Sequence, residues 1–215
     1  IEALGQAIKG KAGDMLFFIA ADEKTTANAL GHLRIEVAKM KGLTESPDKK
    51  FLWVVDFPMF EYSESENRYT SMHHPFTAPL DEHVEKFENG DFAGMTSKGY
   101  DLVLNGVEIG GGSIRIHQPD VQHKAFKALG LSDEEVREKF GYFVDAFKYG
   151  APPHGGLAFG VDRILATMEN IESIRDFIPF PKTSTASAVM EESPSNVDAQ
   201  QLLDVHITLN QAEDE

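Results

Sequence analysis

Asn105-Gly106 lies between Asp101-Leu102-Val103-Leu104 and Val107-Glu108-Ile109. Two short strand-like runs around an Asn-Gly pair predict a β-hairpin with a two-residue turn, because these residues tolerate the positive φ that such turns demand. The turn sets the register: Leu104 faces Val107 and Val103 faces Glu108. Side-chain alternation then puts Asp101 on the face of Val103, and therefore of Glu108. The two carboxylates become diagonal neighbours, roughly 7–8 Å apart at the backbone. Acids that converge in this way can share a hard cation. Mg2+ suits one or two carboxylates together with phosphate oxygens and water. The plainer alternative is two solvated acids on an exposed sheet face.

The hairpin runs on into Gly110-Gly111-Gly112, then Ser113-Ile114-Arg115. Three glycines weaken a strand, so they need a reason: a bulge, or a backbone that a ligand must approach closely. Strict alternation would put Arg115 on the face opposite Glu108, and one bulged residue in the glycine run would bring the two together. Arg suits a carboxylate or phosphate held through two parallel hydrogen bonds. A bent strand carrying a surface Arg is the competing reading.

Gly156-Leu157-Ala158-Phe159-Gly160-Val161-Asp162-Arg163 reads as a glycine-bounded strand that enters a helix with an Arg in its first turn. A helix N-terminus offers free N–H groups and partial positive charge, and an Arg there can hold a polyphosphate. The spacing is that of neither a Walker loop nor a dinucleotide fingerprint. A tight packing turn with a surface Arg would leave the same pattern. In Ser71-Met72-His73-His74-Pro75-Phe76-Thr77 the adjacent histidines are candidate substrate-loop donors. No cysteine or third histidine stands at zinc-ligand spacing, which speaks against zinc.

Along the chain, Asp14 to Ala21 is a short apolar run expected to form a strand. Leu30, Leu33, Val37 and Met40 recur at helical spacing, with Gly42 as a C-cap. Ser46-Pro47-Asp48-Lys49-Lys50 breaks the pattern and marks a boundary, so residues 1–46 and 47–215 are expected to be separate units. Phe51 to Phe57 is strand-like and Glu61 to Tyr69 is expected to be a loop. Pro119 to Leu129, Ser132 to Tyr149 and Val161 to Asn170 read as helices, the second opened by a Ser132/Glu135 capping box and burying Val136, Phe140, Phe143 and Phe147. Gly155 to Gly160 is a strand, and Gln211 to Glu215 a loose acidic end. The fold class is α+β, a largely antiparallel sheet flanked by helices.

The 215 residues are 41% hydrophobic and 26% charged, as in a soluble globular chain. No run is long enough for a membrane span, and no signal peptide is seen. The absence of cysteine excludes disulfides and fits a reducing compartment. The net charge of −15 argues against nucleic-acid binding by this chain alone. The chain opens on Ile1, which reads as an excised or processed piece.

Taken together, these stretches resemble one family, the bacterial-type aspartyl-tRNA synthetases of class II. Phe51-Leu52-Trp53-Val54-Val55-Asp56-Phe57-Pro58-Met59-Phe60-Glu61 is similar to the segment just after the family's insertion domain. Met72-His73-His74-Pro75-Phe76 is similar to its mobile substrate loop, and Tyr100 to Arg115 to its central strands. Gly156 to Arg163 resembles the third class II signature motif, and Phe180-Pro181-Lys182-Thr183 also fits. The resemblance covers essentially the whole chain. It implies that residues 1–46 end the insertion domain and that 47–215 form the C-terminal half of the catalytic domain.

By that resemblance, Asp101 and Glu108 hold Mg2+ against ATP. Arg115 clamps the side-chain carboxylate of L-aspartate, and His73 and His74 close over it. Arg163 holds the γ-phosphate, with Gly160, Val161 and Asp162 bordering the nucleotide; Glu108, Arg115 and Arg163 are the expected catalytic set. The implied reaction makes aspartyl-adenylate and passes the aspartyl group to the 3′ end of tRNA(Asp), in a cytoplasmic homodimer. The family's first and second motifs and its anticodon-binding barrel are not found here. The chain is therefore expected to be weakly active or inactive by itself, with a non-catalytic module that binds a small molecule or protein as the alternative. Related class II enzymes acting on asparagine or lysine, or making asparagine from ammonia, are disfavoured by Arg115 and the insertion-domain tail; charging of tRNA(Asn) alongside tRNA(Asp) stays open.

Overall fold

In the computed structural model, which describes residues 2–45 and 48–210, the chain divides into two units, Ile1–Asp48 and Lys49–Glu215. Ser46 and Pro47 of the expected boundary, and the acidic end Gln211 to Glu215, lie outside the described residues.

The first unit holds helices α1 (Glu2–Ala7) and α2 (Glu23–Met40). Asp22 caps α2, its carboxylate accepting from Thr25 N at 2.9 Å. Gly42 follows the C-cap residue Lys41 with φ +66°, the left-handed conformation expected of it. The strand expected at Asp14 to Ala21 does not form. The segment is irregular, and Met15 and Phe18 are 76% and 67% exposed. A strand needs a partner for its ladder groups, and none of the described residues of this unit supplies one.

In the second unit, β1 (Phe51–Val54) ends earlier than expected, because Asp56 turns the chain with φ +59°. The polar stretch read as a loop is a hairpin of β2 (Phe60–Ser63) and β3 (Arg68–Ser71). Its polarity belongs to the turn. Phe60 and Tyr69 pack edge-on against Phe92, which anchors both strands to the core. A single turn, α3 (Lys86–Asn89), follows and supplies Phe87 to the same cluster.

Strands β4 (Gly99–Leu104) and β5 (Val107–Ile114) form the expected hairpin. Asn105 and Gly106 both have positive φ, +49° and +86°, and the register is Leu104–Val107 and Val103–Glu108 as the turn dictates. Lys50 N donates to Asn105 Oδ1 at 2.8 Å, tying the turn to the start of β1. With β6 (Gly155–Phe159) they make a sheet in the order β1-β4-β5-β6, antiparallel throughout.

Helix α4 (Pro119–Ala128) begins with proline at N1, and α5 (Asp133–Ala146) begins on the capping box: Glu135 N donates to Ser132 Oγ at 3.2 Å and Ser132 N to Glu135 Oε2 at 2.9 Å. The helix read through to Tyr149 tightens into a 3₁₀ turn over Phe147–Tyr149. Phe147 is buried, while Val136, Phe140 and Phe143 are half-buried. Helix α6 (Val161–Met168) follows β6 after one residue, and α7 (Ala199–Asp204) closes the described chain. The core is centred on Met59, Phe60, Met95, Ile116, Ala125 and Leu129.

Candidate active site

A register shift in the central hairpin brings the charged side chains together. Val103 faces Glu108, yet Leu102 faces Gly110 and Asp101 faces Gly111, so Ile109 is the extra residue of a bulge. The bulge stands immediately before the glycine run rather than inside it. It has the expected consequence, since Glu108 and Arg115 line the same cleft.

Each glycine of the run has its own reason. A Cβ on Gly110 would lie 2.8 Å from Ala158 O, and one on Gly112 would overlap the Gly156 carbonyl, because β6 packs close against β5. A Cβ on Gly111 would strike the Asp101 carboxylate. Glycine here leaves room for the neighbouring strand on one face and for an acid on the other.

The cleft measures about 500 Å³ and takes in His73, His74, Asp101, Glu108, Arg115, Gly160 and Arg163. Val161 and Asp162 are not among its lining residues. Thr77 and Ser113, given no role from sequence, also line it, with Thr77 Oγ1 donating to Ser113 Oγ at 3.4 Å. Ser113 was legible in principle, since it stands two residues before Arg115 on the same strand face.

Arg163, in the first turn of α6, donates from Nη1 to Glu108 O at 3.2 Å and lies 3.6 Å from Glu108 Oε2. Both side chains are half-exposed, so the pair adds little to stability and leaves the guanidinium available. Burial first, and then the charge of Glu108, raises the pKa of Asp101 above the usual carboxylate value, while His73 pulls it the other way. The two carboxyl groups stand close together beside Gly111, an arrangement that a shared cation relieves. Among the described residues no three His, Asp or Glu side chains gather as a metal cluster. The donor set fits a hard cation whose remaining ligands are water and phosphate oxygens.

Arg115 lies just past β5, bridged to Thr77, and its Nη1 rests on the His74 ring. Only a neutral imidazole can accept from a guanidinium. Burial foremost, then the charges of Arg115 and His73, push the His74 pKa from 6.5 down to about 4. Between those two values the unfolded chain takes up a proton that the folded chain refuses, so stability falls as pH drops through that window; above pH 6.5 the group adds no slope. In His74→Gln that part of the acid sensitivity disappears. Urea midpoints of both chains at pH 7 and pH 4.5 check it, and equal losses in the two would contradict it.

Residues 20–184 match the family described as tRNA synthetases class II (D, K and N), and the chain belongs to that family. Within it, the chain is 48% identical to the aspartate-tRNA(Asp/Asn) ligase of Desulfatibacillum aliphaticivorans, over 96% of this chain and 34% of that protein. It is 48% identical to the enzyme of the same name from Halothermothrix orenii, over 98% and 35%. The chain thus spans about a third of the length of these relatives. An aspartyl tRNA synthetase structure from Entamoeba histolytica aligns with 87% of this chain and 31% of its own, at 21% identity and a TM-score of 0.49. The family resemblance read from the motifs is borne out, and the α+β unit is part of a class II catalytic fold.

Proposed function

We propose that this chain supplies one part of the active site of an aspartate-tRNA ligase, the part that holds the aspartate side chain and the outer phosphates of ATP. The observation that carries this is the convergence of Arg115, the Asp101/Glu108 pair and Arg163 in one cleft. Arg115 offers two parallel N–H donors to the side-chain carboxylate of L-aspartate. Asparagine would set an amide donor against them and leave buried polar groups unpaired. Arg163 meets the γ-phosphate at the start of α6. Asp101 and Glu108 would hold Mg2+, which when bound neutralises phosphate charge. The α-carboxylate of aspartate attacks the α-phosphorus and pyrophosphate leaves; a hydroxyl of the 3′-terminal adenosine of tRNA(Asp) then takes the aspartyl group and AMP leaves. The residues of this chain position and neutralise.

In this reading residues 1–46 belong to the end of an insertion domain and residues 47–215 to the catalytic domain of a longer cytoplasmic homodimer. Trp53 on one outer strand and Phe159 on the other are each 54% exposed, which fits a sheet that further parts of such an enzyme would cover. No helix among the described residues is long and apolar enough to cross a membrane. Full aminoacylation is expected only of the longer enzyme.

Thermal unfolding of the chain with Mg-ATP and aspartate tests the reading. Ligand at ~100-fold over its Kd adds about 2.7 kcal/mol of stability. The stabilisation should depend on Mg2+, shrink in Glu108→Gln and fall to that of Mg-ATP alone when asparagine replaces aspartate. Equal stabilisation by asparagine would overturn the role of Arg115. No response to any ligand would mean that the rest of the site is required for binding or that the module is non-catalytic, and the same measurement on a longer chain separates the two.

A further inference from the structure

We propose that Gln122 is the positioning residue of the histidine loop: its buried carboxamide grips Pro75 and so sets where His73 and His74 stand in the cleft. This deepens the proposed function and rests on it for the loop's role.

His73-His74 is a short span between two anchored ends. Upstream, Met72 N donates to Met59 O at 3.1 Å, beside the core. Downstream, the Phe76 ring sits among Phe126, Phe140 and Phe143, and Phe76 O accepts from Ile116 N at 2.9 Å. Pro75, between the histidines and that anchor, has no N–H and can be held only through its carbonyl. Gln122 Nε2 donates to that carbonyl at 2.9 Å, from 47 residues further along the chain.

The fold has little use for this glutamine. Gln122 is 1% exposed, on an α4 whose other buried positions are Val121, Ala125, Phe126 and Ala128. Only half of the carboxamide is bonded: Gln122 Oε1 has no partner. A buried polar atom without a partner is a cost, and a leucine of similar size would avoid it. What the carboxamide supplies that leucine cannot is the bond to Pro75. Ser71 Oγ, at the other end of the same loop, is buried and unpartnered too. Both unsatisfied side-chain atoms found among the described residues therefore flank His73-His74. The loop keeps its place at the expense of polar satisfaction, as at sites where geometry matters more than stability.

Gln122→Leu removes the grip while keeping an apolar fill, and Gln122→Met, of nearly the same length and without a donor, covers the case in which the leucine variant fails to fold. In both, amide exchange at Phe76 and Thr77, whose N–H groups donate to His74, should quicken about tenfold while α4 and α5 keep their protection. The His74 ring, freed toward solvent and away from Arg115, should titrate at a higher pH than in the parent chain, and the kept protection of α4 and α5 separates a moved loop from a general loosening of the fold. Unchanged exchange at Phe76 and Thr77 together with unchanged His74 titration in a folded variant would overturn the proposal. Acceleration spread evenly over both helices would overturn it as well, making Gln122 a residue of the fold alone. None of these measurements uses aspartate or ATP, so a failure of ligand binding would count against the proposed function and not against the role of Gln122.

Discussion

Gly112→Ala should strip β6 from the sheet, at a cost of about 3 kcal/mol, the upper part of the range for overpacking a rigid site. The added methyl would overlap the Gly156 carbonyl, lie 2.9 Å from Gly156 C and 3.0 Å from Tyr100 Cε2. A clash with the tip of a flexible side chain can be relieved by turning it aside. This one is with backbone, and that backbone is tied down. Gly112 pairs with Leu157 in the β5–β6 ladder, and Tyr100 Oη donates to Gly156 O at 2.9 Å on the same face. Relief requires parting the two strands, which carries α6 and Arg163 away from Glu108. Gly156→Ala is the control, because a Cβ there meets nothing within 4 Å; it should fall within about 0.5 kcal/mol of the parent chain. Urea unfolding of the three proteins measures both values. Equal stability of Gly112→Ala and Gly156→Ala would show that β6 is not held as closely as described.

The hairpin is the part of the site most legible from sequence, for a physical reason. Asn105-Gly106 limits the turn to a conformation that dictates the pairing on either side of it. The diagonal approach of Asp101 to Glu108 then needs only alternation. The position of the bulge was less legible. Three glycines signal that something crowds the strand, without saying what. The crowding turns out to come from the β6 carbonyls at Gly110 and Gly112 and from a carboxylate at Gly111, none of them near in sequence.

Asp14 to Ala21 failed for the opposite reason. Its composition suits a strand, but a strand exists only by pairing, and a partner cannot be read from the segment itself. Between Glu61 and Tyr69 the polar turn residues hid two short strands whose reason to pair is aromatic packing on Phe92. Gln122 was invisible to periodicity, being a polar residue on the buried face of α4 whose partner lies across the fold. The contact of Arg115 with His74 likewise joins residues 41 positions apart.

On the proposed function, Arg115→Leu should abolish a preference for aspartate over asparagine. Removing one member of a buried hydrogen-bonded charge pair costs about 2–5 kcal/mol, or roughly 30-fold to several thousand-fold in affinity. The guanidinium rests on a neutral ring, with Nη1 against His74. A neutral acceptor holds Arg less strongly than a carboxylate does, so an incoming aspartate can displace His74 and gain two charge-assisted bonds. With leucine at position 115 the cleft loses its two-pronged donor for the side-chain carboxylate, and aspartate and asparagine should bind with similar weak affinity. Arg115→Lys should fall between, keeping the charge and losing the fork. Calorimetric titration of each chain with the two amino acids, in the presence of Mg-ATP, gives the ratio directly. A ratio in Arg115→Leu that stays near that of the parent would place discrimination elsewhere in the cleft, with His73 and His74 the next groups to replace.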